Sequence, residues 1–92
     1  MNAHEKRALR LINHAMSDLI GGYENTMEDF AEGSEEYEAA EQYLTQGHEG
    51  LVKSIYDYVM AEASGTSAES IKFVGADTIE GLISAKLKGW GY

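Results

Sequence analysis

His14 and Asp18 lie four residues apart, one turn of a helix, and a helical hairpin would carry His48 toward them from its other arm. Two imidazoles and a carboxylate are a zinc donor set in kind. The spacing is generic, however, and the same residues serve equally as a polar contact between two helices. The 92 residues include no cysteine, which excludes disulfides, thiolate metal sites and a cysteine nucleophile together. No phosphate loop, GxGxxG, HExxH, nucleophile elbow or EF-hand spacing occurs. The residues therefore predict no enzyme, no cofactor and no metal centre.

Carboxylates are the chemistry this chain does carry. Glu24, Glu28 and Glu32 fall at i, i+4 and i+8, and Asp29, Glu35, Glu36, Glu38 and Glu41 gather near them. Between Arg10 and Lys53 there is no lysine or arginine, while ten aspartates and glutamates fall there. Like charges at i, i+4 destabilise a helix by about 0.2–0.5 kcal/mol per pair, so helix stability does not explain the row. On a continuous helix the row recurs about every 6 Å, near the spacing of phosphates along a nucleic-acid strand. Such a rod fits a lysine- and arginine-lined groove, and its field would steer the encounter. Tyr23 and Tyr37 stand beside these acids as candidate aromatic anchors. The plainer alternative is a solvated face that keeps a small protein soluble.

A formal net charge of −9 argues against direct binding to nucleic acid or an anionic membrane, because phosphate contacts need lysine and arginine. The N-terminal residues run into an amphipathic segment, and no signal peptide or membrane span is read from them; with no cysteine, a cytoplasmic location is expected. At this length the core is modest, and self-association is the remaining staple, so a homo-oligomer is expected.

The elements that must position these residues are helical, and the predicted fold class is all-α. Apolar steps of three and four at Leu9, Ile12, Met16, Leu19, Tyr23, Met27 and Phe30 predict a first helix over about 3–31, opened by an Asn2/Glu5 capping box. Gly33 and Ser34 read as a stop and a new N-cap. Tyr37, Ala40, Tyr43, Leu44, Leu51, Ile55, Tyr58 and Val59 predict a second helix over about 35–63, antiparallel to the first. Proline is absent, which leaves long helices open. Gly21-Gly22 and Gly47/Gly50 interrupt the two arms; close helix packing is preferred as their purpose over a hinge separating residues 23–46 from a base.

Residues 64–77 read as irregular, with Thr66 and Glu69 capping a short turn; 70–74 alternates like a strand, but no second strand is evident to pair with it, so helix or extended coil is preferred over a strand that pairs across a dimer. Asp77 and Glu80 form a second capping box before a shorter helix over about 78–88, carrying Ile79, Leu82, Ile83 and Leu87 across the hairpin. Trp90 is expected to close the core rather than stand exposed.

In size, acidity and helical-hairpin character the chain resembles the small inhibitors that bacteriophages and mobile elements direct at host nucleases, such as anti-CRISPR and anti-restriction proteins. No motif carries the resemblance, so it implies no residue roles. The leading expectation is a non-enzymatic inhibitor or adaptor whose acidic tip occupies the basic, nucleic-acid-binding surface of a partner protein. The alternative is a self-associating helical module working through Leu9, Ile12, Leu51, Ile55 and the Trp90 tail. A small-molecule pocket near His14 and His48 has nothing to argue for it.

Overall fold

The computed structural model describes residues 2–65 and 71–92. It is all-α, with no strand among the described residues: α1 (Ala3–Met16), a π-turn (Ser17–Gly21), α2 (Gly22–Asp29), α3 (Glu35–Leu44), α4 (His48–Ala63) and α5 (Ala76–Gly89). The molecule is a flattened rod measuring 44 × 25 × 16 Å. Helices α2 and α3 pack on each other, whereas α1, α4 and α5 pack mutually. The hairpin thus has a two-helix tip and a three-helix base, with α5 lying across the arms as its apolar spacing predicts.

The N-caps of the two arms follow the residues. Asn2 Oδ1 accepts the Glu5 amide at 2.8 Å, and Ser34 Oγ accepts the Tyr37 amide at 3.2 Å, so each satisfies an amide that has no intrahelical partner. The first helix is continuous but bent, because the backbone stays right-handed from α1 through the π-turn into α2. A π-turn inserts one residue into the helical ladder, and here it ends on glycine, a poor helix former. The close-packing expectation for Gly21 and Gly22 is not met: a Cβ on either would touch nothing within 4 Å. This helix also stops at Asp29 rather than Ala31, since Phe30 is extended at φ −112°, ψ 150°.

The single second helix expected over 35–63 is two helices. Thr45 Oγ1 donates to the Glu41 carbonyl at 2.7 Å and Gln46 Nε2 donates to the Tyr43 carbonyl at 2.8 Å, closing off α3. Gly47 then adopts φ +101°, where a Cβ would be strained, and the chain restarts as α4. The break lets α3 follow α2 while α4 stays in the base.

The core sits in the base. Ile12, Met16 and Ile20 from the first helix, Leu51, Ile55 and Val59 from α4, and Ile79, Ile83 and Leu87 from α5 are fully or almost fully buried. The i, i+4 rows on α4 and α5 are what let each present one apolar ridge inward. Full burial of such a side chain stabilises by roughly 1.5–3 kcal/mol. Ile71 and Val74 complete the layer from the segment before α5, where residues 71–73 form a single 3₁₀ turn, neither strand nor longer helix. Thr66, Glu69 and Ser70 lie outside the described residues.

Two expectations at the C-terminal end are corrected. Helix α5 begins at Ala76, with Gly75 as its cap residue, so Asp77 lies inside the first turn and no Asp77/Glu80 box forms. Its charge still suits the helix dipole there, as Lys86 and Lys88 do in the last turn. Trp90 does not close the core; it is 42% exposed. Gly91, at φ +91°, turns the chain back in a Schellman arrangement, with the Gly91 amide donating to Lys88 and the Tyr92 amide to Leu87. That turn folds Tyr92, two residues beyond, against the core in place of the tryptophan.

Candidate functional site

The structure does not assemble the His14, Asp18, His48 set. His14 Nε2 lies 3.3 Å from Asp18 Oδ2, on an exposed face, and the Tyr58 hydroxyl donates to the same carboxylate oxygen at 3.0 Å. That bond to a carboxylate pushes the Tyr58 hydroxyl up to about 12. His48 is engaged elsewhere: Nδ1 is 3.1 Å from the Tyr92 main-chain oxygen and Nε2 is 2.7 Å from Ser84 Oγ. Among the described residues no group of three or more His, Asp or Glu side chains could hold a metal ion. His48 lines an open trough between α4 and α5, and His14 does not.

The acidic tip is assembled, with changes. Glu24, Glu28, Asp29, Glu32, Glu35, Glu36, Glu38 and Glu41 are all exposed. The straight i, i+4, i+8 row is not formed: Glu24 and Glu28 are one turn apart on α2, but Glu32 lies beyond the helix end, in the turn. A continuous row at phosphate spacing therefore shortens to two members. Glu24 is also committed, because its Oε2 accepts the Tyr92 hydroxyl at 3.0 Å and so ties the tip to the end of α5. Burial, and then that bond, raise the Tyr92 hydroxyl above its ordinary value.

Helix polarity separates the tip acids into two groups. Glu35, Glu36 and Glu38 occupy the first turn of α3, where negative charge offsets the positive end of the helix dipole by about 0.3–1 kcal/mol each. Their presence has a local folding reason. Glu28 and Asp29 occupy the last turn of α2, where the dipole is negative and the same magnitude counts against them. No lysine or arginine falls between Arg10 and Lys53 to offset them locally.

The aromatic assignment also changes. Tyr23 stacks on Tyr43, with ring centroids 4.3 Å apart and planes 24° from parallel, and the Tyr43 hydroxyl hydrogen-bonds Ser54 Oγ at 2.8 Å. Burial raises the Tyr43 hydroxyl; the bond to Ser54 works in the opposite direction. The Tyr23 ring is thus engaged in packing the two tip helices together, and Tyr43 ties the tip to the base through Ser54 on α4. Tyr37 is half-buried on α3. The aromatic that does face water among the acids is Phe30, 45% exposed and flanked by Glu28, Asp29 and Glu32. Its place in the apolar row suggested core; the extended backbone that ends α2 turns it out, a break that periodicity does not reveal.

By fold and site the protein is an all-α hairpin with an apolar base and an acidic tip bearing an exposed phenylalanine. No protein-family model, no curated protein and no solved structure matches the chain. Among the described residues no helix is long and apolar enough to cross a membrane.

Proposed function

We propose that the protein is a non-enzymatic binding module whose tip, centred on Glu28, Asp29, Phe30 and Glu32, engages the basic surface of a nucleic-acid-binding protein in the manner of an inhibitor. The supporting observation is the placement of Glu28 and Asp29: carboxylates at a helix end that disfavours them, with no lysine or arginine in that turn, beside a phenylalanine exposed to water. Phenylalanine is among the aromatics enriched at interfaces, whose apolar centres are bordered by a polar rim. Carboxylates can neutralise lysine and arginine side chains that would otherwise meet phosphate. The shortened row makes this a compact contact patch rather than an extended copy of a phosphate strand.

The self-associating alternative loses most of its surface. Ile12, Leu51 and Ile55 are buried within the chain itself, leaving Leu9, half-buried, and Trp90 from that set.

Capture on immobilised protein from a bacterial lysate tests the proposal, with bound proteins eluted by salt or displaced by duplex DNA or by RNA. The expected result is retention of nucleic-acid-binding proteins that salt releases and nucleic acid displaces, because both act on the same basic surface. Retention that neither salt nor nucleic acid disturbs would overturn it.

A further inference from the structure

The trough between α4 and α5 lies in the base, lined by none of the tip acids, and encloses roughly 740 Å³. Its apolar lining is half-buried Val52 and Tyr56, one turn apart on α4. Exposed carboxylates stand along it on both helices: Glu49 and Asp57 on α4, Asp77 and Glu80 on α5, against the single ammonium of Lys53. Glu49 and Asp57 are eight residues apart, so about 12 Å separates them along the helix axis.

Gly81 is the telling residue of the α5 wall. Apart from proline, glycine is the poorest helix former, and here it occupies the middle of a helix. Nothing in the fold requires it, because a Cβ would meet no atom within 4 Å. It leaves the α5 backbone open to close approach from the trough. A small molecule in so open a site would keep much of its surface in water, whereas small-ligand sites enclose about 70–90% of theirs. An elongated occupant with an apolar stripe flanked by cations matches the shape, the lining and the charge together.

We infer that this trough is a docking site for a basic amphipathic helix of a partner protein. The helix lays its apolar stripe on Val52 and Tyr56, its lysines or arginines reach the carboxylates on either side, and its backbone comes closest at Gly81. This is helix-in-groove recognition. It is independent of the tip and does not rest on the function proposed for it.

The test is a titration of ¹⁵N-labelled protein with a synthetic amphipathic peptide of leucine and lysine, leucines at i, i+3, i+4 and i+7, followed by amide chemical shifts. The expected result is saturable shifts at Val52, Tyr56, Gly81 and Ser84, which Gly81→Gln weakens at least about tenfold by filling the trough. Glutamine is a better helix former than glycine, so loss of binding in this variant is not loss of fold. The tip reversal Glu28→Lys/Asp29→Lys/Glu32→Lys should leave the trough shifts in place. Shifts confined to the tip, equal affinity in Gly81→Gln, or equal shifts with an all-lysine peptide would overturn the inference. So would concentration-dependent shifts at the same four residues without peptide, which would assign the trough to a second copy of the chain.

Discussion

The base and the tip of this hairpin are built on opposite terms. In the base, α1, α4 and α5 each contribute an i, i+4 row of apolar side chains to one core. In the tip, α2 buries no residue at all and α3 buries Ala40 and Leu44. The base is where burial holds the chain together; the tip is held by the Tyr23–Tyr43 stack, the Tyr92–Glu24 bond and half-buried contacts such as Met27. A region with so little buried apolar area and so much like charge contributes little to folding, which is the condition under which surface composition can be set by a partner instead.

The largest expected contrast comes from truncating one side chain in each region. Ile55→Ala should lower unfolding free energy by about 2–5 kcal/mol, because it empties a fully buried site. Met27→Ala in the tip should cost about 1 kcal/mol or less, since that site is half open. Urea denaturation followed by circular dichroism measures both, and comparable losses would show that the tip is as much a folding unit as the base.

A smaller effect is expected at the junction. Gly47→Ala places a Cβ at φ +101° and should cost about 1–2 kcal/mol, read as a lower unfolding midpoint. Gly21→Ala, at the other junction, should be neutral or stabilising, because its backbone is right-handed and its surroundings are open.

The difference between those two glycines shows where the sequence was legible and where it was not. Apolar spacing found the buried faces of the base helices, and Asn2 and Ser34 marked two of the N-caps, because burial and capping leave periodic or local signatures. The split at Gly47 did not show: a glycine within a helical pattern reads the same whether its φ is negative or positive. Phe30 and Trp90 were misplaced for a related reason. Each stands at a helix end: the extended backbone of Phe30 redirects a side chain that periodicity assigns inward, and the turn at Gly91 brings Tyr92 rather than the lone tryptophan to the core. At the tip, the eight acids and their exposure were legible from charge alone. Their division into those the α3 dipole favours and those the α2 dipole disfavours needed the helix ends.

The smallest effect is a pH dependence at the contact between the first helix and α4. The Tyr58 hydroxyl is raised to about 12 by its bond to Asp18, against an ordinary value near 10. The folded state therefore keeps a proton that the unfolded chain releases, so the stabilisation is complete below about pH 10 and is lost as pH rises toward 12. Tyr58→Phe should flatten the fall in thermal midpoint across that window, and an unchanged slope would remove Tyr58 from the account of alkaline unfolding.

The most direct measurement compares the variant Glu28→Lys/Asp29→Lys/Glu32→Lys with the parent protein in two assays run together, thermal unfolding and nucleic-acid-displaceable partner capture. If these carboxylates serve contact rather than fold, the unfolding midpoint holds or rises by a few degrees as dipole and like-charge repulsion are relieved, while capture is lost. Capture that persists undiminished in a folded variant would contradict the assignment of the tip as the binding surface.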